Sequence, residues 1–434
     1  MKLQIEKAVY GGAGLAHLTD GEGAGKTVFV PFTLPGELVE ARLLEQKNAF
    51  GEASLVQVLT ASEYRVPPRC AHFGQCGGCQ YQHAAYPAQV QMKVAILKET
   101  LERAGLMALP ATQVHTAEPW AYRNRTRLRI AELEATLRVG YNRRGSNAFL
   151  AIRECPISAP LVWRAAEALL QVASENSTTT RLLRSALEVE FFTTGDEKKL
   201  QMTLFVQKAQ VGFATLCTRL QAFVPELAGA DVSLLPTSDS QRRARNPRLL
   251  ENWGADGLNY PAAGEGYWVS RGGFFQINRF LVDELVRIVT AGRRGTVAWD
   301  LYAGAGLFSR ALAKVFQQVV AVEANANDLY RSFKGSGKRA VESTTVEFLR
   351  NAVVQRERPE LVVMDPPRAG VGAEVCALLA RISSPEIVYV SCDPVTLARD
   401  LKLLVAAGYN VVEIHMVDMF PQTFHLETVM ILRK

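Results

Sequence analysis

The chain has 434 residues and a net charge of +6, with 48% apolar and 21% charged residues. At roughly 150 residues per domain this length predicts two or three domains, and the composition excludes a largely disordered chain. No run of roughly 18 apolar residues occurs, which excludes an ordinary membrane span. Because Lys2, Glu6 and Lys7 interrupt the first twelve residues, they lack the apolar core of a signal peptide, and we expect a cytoplasmic protein.

Residues 1–65 contain short apolar segments separated by glycine, with strands predicted at 27–31, 37–44 and 53–60. Four or five strands in so short a segment are typical of a small open β-barrel of the oligonucleotide-binding (OB) type. The stiff sequence Val-Pro-Pro at 66–68 predicts a domain boundary directly after the barrel.

Residues 66–258 show a mixed pattern, and we predict a central α+β domain there. Apolar spacing predicts two helices and two strands, near 89–104, 159–173, 187–194 and 199–207. The polar stretch 237–246 predicts a loop.

Positive charge is concentrated in the central segment. Residues 120–155 contain eight arginines and three glutamates, and a second basic stretch contains Arg242, Arg243, Arg245 and Arg248. In WAYRNRTRLRI every second residue from 123 to 129 is arginine, which on a strand places the guanidinium groups on one face. Such a row can follow a phosphate backbone while Trp120 and Tyr122 stack on bases. The alternative is a solvated charged strand.

From residue 259 onward, short apolar strands alternate with amphipathic helices, in TVAWD, VVAVE, ELVVMD, EIVYVSC and NVVEIHMVD. This alternation predicts a doubly wound α/β domain with a parallel core over residues 259–434. The last apolar segment, TVMILRK, follows after only a short loop. Because a crossover helix does not fit in that loop, we predict an antiparallel hairpin.

A glycine-rich turn joins the first of these strands to a helix, in TVAWD-LYAGAG-LFSRALAKV. A turn of this kind aims backbone N–H groups at a ligand. As a dinucleotide fingerprint it is incomplete, because Ser309 stands where a third Gly or Ala belongs, and this disfavours a dehydrogenase. With Glu323 ending the next strand, D-x-Y-x-G-x-G looks more like the S-adenosylmethionine site of Rossmann-like methyltransferases. A plain tight turn stays open as an alternative.

Polar side chains stand where these strands end. Asp300, Glu323, Asp365 and Cys392 each close a strand, and Glu427 begins the last, antiparallel one. Because ligands bind at the carboxyl edge of an open α/β sheet, we expect these side chains to converge on one crevice.

Cys392 is a candidate nucleophile and Glu427 a candidate base. A helix dipole lowers the pKa of a cysteine at a helix N-terminus, whereas the neighbouring Asp393 acts in the opposite direction, so the protonation state stays open. The alternatives are that Cys392 is a buried core cysteine, as we expect for Cys217 and Cys376, and that Glu427 is a solvated turn residue.

Three further cysteines are clustered as Cys70-x5-Cys76-x2-Cys79. In a cytosolic chain this spacing indicates a metal or redox site rather than a disulfide framework. A fourth ligand is needed, and four thiolates can hold zinc or an iron–sulfur cluster. His72 and His83 flank the segment, and we expect both to be surface residues.

The motifs FFQIN (274–278), DPPR (365–368), SCDP (391–394) and FPQTFHLE (420–427) together resemble the RNA uridine-5-methyltransferases. With its cysteine segment and amino-terminal barrel, the chain is similar to the iron–sulfur ribosomal RNA branch, which carries a TRAM domain. The resemblance extends over essentially the whole sequence.

This resemblance implies covalent catalysis, in which the Cys392 thiolate adds to carbon 6 of uracil and Glu427 removes the proton from carbon 5. It also implies that S-adenosylmethionine is bound by Gln276, Tyr302, Glu323 and Asp365. Asp365 corresponds to a position where cofactor and uracil meet. Leu307 replaces an amide or acidic residue of many relatives, so we assign it no cofactor contact.

The resemblance further implies that Cys70, Cys76, Cys79 and Cys155 hold a 4Fe-4S cluster, favoured over zinc because the fourth cysteine stands alone and precedes proline. The resemblance also implies a monomer that acts on 23S ribosomal RNA and does not bind a membrane. Two alternatives remain: a transfer RNA enzyme of the same superfamily, whose members typically lack the cysteines and the barrel, and a non-catalytic RNA-binding protein or chaperone on the same fold.

Overall fold

A computed structural model describes residues 1–18, 25–47, 49–235 and 247–434. The predicted loop at 237–246, with Arg242, Arg243 and Arg245, lies outside the described residues. Within the described ranges, no helix is both long enough and apolar enough to cross a bilayer.

The amino-terminal sheet has the strand order β1-β5-β6-β4-β3-β2. Its strands are β1 (Lys2–Gln4), β2 (Lys7–Ala8), β3 (Ala13–His17), β4 (Thr27–Pro31), β5 (Leu38–Gln46) and β6 (Phe50–Thr60). Strands β1 and β2 form the two edges of the sheet, and the residues that link them bond to both sides. The Ile5 N–H donates to Glu37 O and the Glu6 N–H donates to Leu15 O, each at 2.8 Å. The sheet thereby closes around a small apolar core, as the strand pattern predicts.

The cysteine segment is followed by α1 (Tyr86–Arg103) and β7 (Thr112–His115). Both fall within the predicted central domain, yet β7 pairs with residues 414–417 of the carboxy-terminal sheet and α1 packs on the core of that sheet. Local sequence periodicity gives no indication of which sheet a helix or an edge strand joins.

The central sheet has the order β10-β9-β8-β11-β12-β13-β14. Its strands are β8 (Arg125–Leu133), β9 (Thr136–Asn142), β10 (Phe149–Ala151), β11 (Ala186–Thr193), β12 (Leu200–Val206), β13 (Leu227–Leu234) and β14 (Arg248–Gly254). Three helices, α2 (Pro160–Glu175), α3 (Ser177–Arg184) and α4 (Phe213–Phe223), bury one face of the sheet. The other face carries the arginines of β8. A hairpin of β15 (Gly257–Ala262) and β16 (Glu265–Ser270) leads to the last sheet, and the predicted boundary after residue 258 lies within β15.

The carboxy-terminal sheet has the order β19-β18-β17-β20-β21-β23-β22-β7. Its remaining strands are β17 (Gly295–Leu301), β18 (Phe316–Glu323), β19 (Lys338–Glu342), β20 (Leu361–Met364), β21 (Glu386–Ser391), β22 (Asn410–Val417) and β23 (Glu427–Arg433). The helices are α5 (Val282–Thr290), α6 (Leu307–Leu312), α7 (Asn327–Ser332), α8 (Thr345–Gln355), α9 (Gly372–Ile382) and α10 (Pro394–Ala406).

Strands β17 to β21 are parallel, and β23 runs antiparallel between β21 and β22, which confirms the predicted hairpin. The strand order reverses between β17 and β20. In open α/β sheets ligands bind at such a reversal, outside the carboxyl ends of the strands.

Candidate active site

The reversal point gathers the polar residues that the sequence places at strand ends. Asp300 lies near the end of β17, Glu323 ends β18, and Asp365 and Cys392 follow β20 and β21. Glu427 reaches the same edge because β23 is antiparallel. The predicted convergence follows from the strand directions alone.

The glycine turn after β17 has the left-handed backbone that glycine favours, with φ of 54° at Gly304 and 84° at Gly306. The Gly304 N–H donates to Glu323 Oε2 at 2.9 Å, and the Asn325 N–H donates to Oε1 at 3.1 Å. Tyr302 has a φ of 61°, which is unusual for a residue with a side chain. The turn and Glu323 are therefore tied into one wall of the crevice, with Tyr302 half-buried beside it.

Asp300 and Asp365 are buried near each other at this edge of the sheet. Burial raises the pKa of Asp300 to about 7, although the hydroxyl of Ser309 donates to its Oδ2. Burial and the negative charge of Asp300 raise the pKa of Asp365, whose Oδ2 accepts a hydrogen bond from Gln276 Nε2 at 3.2 Å. No described residue donates to the buried Oδ1 of Asp300. An acceptor left without a donor fits a site that a ligand completes.

Cys392 and Glu427 lie in the same electrostatic field. Burial, Glu427 and Asp365 raise the pKa of Cys392 to about 12, and only Arg368 among its charged neighbours lowers it. Burial and Asp365 raise the pKa of Glu427, again opposed by Arg368. The sequence leaves the state of Cys392 open; in the folded protein burial, together with Glu427 and Asp365, favours the thiol over the thiolate.

Arg368 is a member of this site to which the sequence analysis assigned no role. It is exposed, it lowers the pKa of both Cys392 and Glu427, and its Nη2 lies 3.2 Å from His425 Nδ1. Its place in DPPR, directly after the strand that ends at Asp365, is the signal that could have identified it.

The loop that delivers Glu427 is anchored by buried groups from distant segments. Lys93 Nζ donates to Asp418 Oδ1 at 2.6 Å. Gln89 Nε2 donates to Gln422 Oε1 and the backbone N–H of Gln422 donates to Gln89 Oε1, both at 3.0 Å. Asn278, in FFQIN, donates to Met419 O at 3.2 Å. Sequence reasoning missed these anchors because each joins residues more than a hundred positions apart.

The four predicted cysteine ligands are all half-buried and line one cavity of about 330 Å³. Burial and the other three cysteines raise the pKa of Cys79 to about 12. Across the described part of the chain, no three His, Cys, Asp or Glu side chains are gathered closely enough to hold a metal ion. The four cysteines therefore line one cavity, and among the described residues they do not form a preformed site for a single metal ion.

Two expectations around this cavity were wrong. His83 is buried, with 2% of its surface exposed, and burial lowers its pKa to about 4. Tyr122 is fully buried and its hydroxyl donates to Pro421 O at 3.1 Å, so it cannot stack on a base. Cys217 and Cys376 are core residues, as predicted.

The arginines of β8 share one face, as predicted, but their guanidinium groups have protein partners. Arg125 lies over the ring of Phe192 at 4.1 Å. Arg127 lies over the ring of Phe205 at 3.8 Å and pairs with Glu188. This part of the predicted RNA surface is therefore partly neutralised.

Comparisons with known proteins agree with this arrangement. The profile of the tRNA (Uracil-5-)-methyltransferase family matches residues 85–333 and 338–434, and that of the TRAM domain matches residues 1–56. The 23S rRNA (uracil(1939)-C(5))-methyltransferase RlmD of Aeromonas hydrophila is 32% identical, covering 94% of this chain and 91% of that protein. The protein of the same name from Pectobacterium carotovorum is 32% identical, covering 93% and 88%.

A solved structure shares the whole fold. The tRNA (uracil-54, C5)-methyltransferase of Pyrococcus abyssi, in complex with S-adenosyl-L-homocysteine, matches with a TM-score of 0.77 over 99% of both chains at 22% identity. The family match, which spans most of the chain, and the relatives of similar length carry the assignment. The chain belongs to the RNA uracil-5-methyltransferase family, as an S-adenosylmethionine-dependent enzyme with an amino-terminal TRAM domain.

Proposed function

We propose that this enzyme methylates carbon 5 of a uridine in 23S ribosomal RNA through a covalent adduct with Cys392. The observation that carries the proposal is the convergence of Cys392, Glu427 and Asp365 on one crevice. The ribosomal substrate is supported by relatives of similar length that are named for it.

Covalent attack solves a chemical difficulty, because carbon 5 of uracil is a poor nucleophile. The Cys392 thiol loses its proton to solvent, its sulfur forms a bond to carbon 6, and the electron pair of the 5,6 double bond moves to give an enolate. Bound S-adenosylmethionine would supply an electrophilic methyl group, to which carbon 5 forms a bond while the bond from that methyl to the sulfonium sulfur breaks and S-adenosylhomocysteine leaves. Arg368 is the neighbouring charge that favours the thiolate.

Glu427 completes the cycle. After methyl transfer carbon 5 holds both the methyl group and a proton, and the carboxylate of Glu427 takes that proton while the bond from sulfur to carbon 6 breaks. A carboxyl whose pKa is raised is the stronger base, and general-base assistance contributes roughly 10²–10⁴-fold.

The residues of the crevice fit S-adenosylmethionine. We assign its binding to Gln276, Tyr302, Glu323 and Asp365. The Glu323 carboxylate closes the wall beside the glycine turn, and the unpaired Oδ1 of Asp300 offers an acceptor. Carboxylates suit both ribose hydroxyls and a positively charged cofactor.

The four cysteines fit a 4Fe-4S cluster better than a single ion, since their thiols surround a cavity rather than a point. We propose that Cys70, Cys76, Cys79 and Cys155 hold such a cluster. The methylation involves no net electron transfer, so these residues act as a structural link. They join the segment after the barrel to the end of the arginine-rich window.

We propose the division of the chain into 1–65, 66–258 and 259–434, with the barrel and the β8 face binding RNA. Trp120 and Arg129 are candidates on that face. Trp120 is half-buried, and Arg129 is held by neutral partners, Asn142 Oδ1 and Asn147 O.

The test is mass spectrometry of 5-methyluridine in ribosomal and transfer RNA from cells with and without the gene. We expect one or more 23S ribosomal RNA fragments to lose the modification, with recovery by the wild type and none by Cys392→Ala. Loss confined to transfer RNA would overturn the substrate assignment. Recovery by Cys392→Ala would overturn the covalent mechanism.

A further inference from the structure

The barrel reaches the catalytic crevice directly. Tyr10 lies in the turn between β2 and β3, and its hydroxyl donates to Asp393 Oδ2 at 3.0 Å. Asp393 is the residue that follows Cys392, 383 positions along the chain from Tyr10. One hydrogen bond thus joins the first domain to the residue beside the nucleophile.

The two oxygens of Asp393 have separate partners. Oδ1 caps helix α10 by accepting from the N–H groups of Val395 and Thr396, both at 3.0 Å. Oδ2 is left for Tyr10. Because the cap fixes one oxygen and the barrel fixes the other, the carboxylate and the backbone that carries Cys392 are held in one orientation.

The ring of Tyr10 contacts the other side of the crevice. It meets Phe424 edge-on with 5.3 Å between ring centroids, and Phe424 packs on His425 at 4.2 Å, two residues before Glu427. The barrel turn is close-packed here, since a Cβ at Gly12 would lie 2.8 Å from Gln80 Cβ. One side chain therefore touches both the segment of the nucleophile and the segment of the base.

We propose that Tyr10 is a positioning residue for methyl transfer, its hydroxyl holding Asp393 beside Cys392 and its ring holding the loop that delivers Glu427. The inference rests on the proposed roles of Cys392 and Glu427. It gives the barrel a part in catalysis in addition to binding RNA, because the site is complete only when the barrel is docked.

The Tyr10 hydroxyl acts on the Cys392 thiolate through the charges around it. Cys392 faces Glu427, Asp365 and Arg368, with Asp393 next to it in the chain. A hydroxyl that donates to Asp393 draws off part of its negative charge. Without that hydroxyl the carboxylate keeps its full charge next to Cys392, and we expect a smaller fraction of thiolate.

The test compares Tyr10→Phe with Tyr64→Phe in the full-length protein. Tyr64 is an exposed tyrosine near the end of the barrel, so it controls for the loss of a hydroxyl as such. At saturating RNA we expect kcat to fall about tenfold in Tyr10→Phe, the scale of a lost hydrogen bond to a charged group, with Kd for RNA within about twofold of wild type. An unchanged kcat, or a loss confined to Kd, would overturn the inference.

A second readout needs no turnover. Iodoacetamide labelling of Cys392 at one mildly alkaline pH, followed by peptide mass spectrometry, should be slower in Tyr10→Phe than in wild type, because less of the sulfur is thiolate. In the Asp393→Asn background, which keeps the cap, the slowing caused by Tyr10→Phe should vanish, as a double-mutant cycle requires. A slowing of equal size in both backgrounds would contradict action through Asp393.

The covalent mechanism and the positioning role of Tyr10 can be disproved separately. If Cys392→Ala still methylates RNA, the proposed mechanism is wrong whatever Tyr10 does. If Cys392→Ala is inactive and Tyr10→Phe matches Tyr64→Phe in kcat and in labelling, only the role of Tyr10 is wrong. Thermal unfolding of each variant checks that the barrel stays folded.

Discussion

Asp418 and Glu427 stand at the two ends of the loop between β22 and β23, and both are buried, with 1% and 3% of their surface exposed. Asp418 accepts hydrogen bonds from Lys93 Nζ at 2.6 Å and from the Tyr86 hydroxyl at 2.9 Å. Glu427 instead faces another carboxyl, and burial together with the charge of Asp365 raises the pKa of Glu427. A buried ammonium neutralises the first carboxylate, whereas no described ammonium group hydrogen-bonds to the second, so it binds a proton more tightly than an ordinary carboxyl does.

The end of the loop at Asp418 helps to hold the end at Glu427 in place. Between them Gln422 has a φ of 69°, a strained backbone for a residue with a side chain, and Gln89 holds it with two side-chain hydrogen bonds. A loop with this strain keeps its shape only if its surroundings fix it. We therefore expect substitutions at the two ends to separate stability from catalysis.

The largest expected effect is on turnover. Glu427→Gln should lower multiple-turnover methylation by roughly 10²–10⁴-fold, because the proton at carbon 5 has no base. A covalent protein–RNA adduct should accumulate, since addition and methyl transfer precede the blocked step, and it would be measured as a band retained on a denaturing gel. Asp418→Asn should accumulate no adduct, and Cys392→Ala should form none. Turnover near the wild-type rate in Glu427→Gln would contradict the assignment.

The next effect is on stability, at the other end of the loop. Lys93→Met leaves Asp418 buried without its ammonium, and removing one partner of a buried ion pair costs about 3–5 kcal/mol of unfolding free energy. Urea unfolding measures the loss. The double variant Lys93→Met with Asp418→Leu should recover most of it, because no uncompensated charge stays buried. Equal losses in the single and double variants would show that packing, and not charge, decides the stability there.

The sequence predicts the surroundings of Glu427 better than those of Asp418. Alternation of strands and helices places Asp300, Glu323, Asp365 and Cys392 at one edge, and the short last loop brings Glu427 to them. These are local patterns combined with one rule of topology. Lys93 and Asp418 are 325 residues apart, and no periodicity indicates their pairing.

The errors have the same physical origin. His83 and Tyr122 were expected to be accessible because polar or arginine-rich neighbours surround them in sequence, but tertiary packing buries both. The protonation state of Cys392 depends on the charges of Glu427 and Asp365, which only the folded chain brings near it. Side-chain environments that depend on distant contacts are therefore the part that sequence patterns do not predict.

The smallest expected effect is a pH-dependent gain in stability. The pKa of Glu427 is raised in the folded protein above its unfolded value of about 4.3, so the folded state binds the proton more tightly and unfolding free energy falls as pH rises above that value. Glutamine is neutral at every pH and escapes this penalty. Glu427→Gln should therefore be more stable than wild type at pH 8, with the difference shrinking toward pH 4. Asp418→Asn should be less stable than wild type at pH 8, so two isosteric substitutions in one loop should change the unfolding free energy in opposite directions. Urea titrations at the two pH values measure both changes. Changes in the same direction would contradict the contrast between the two carboxyls.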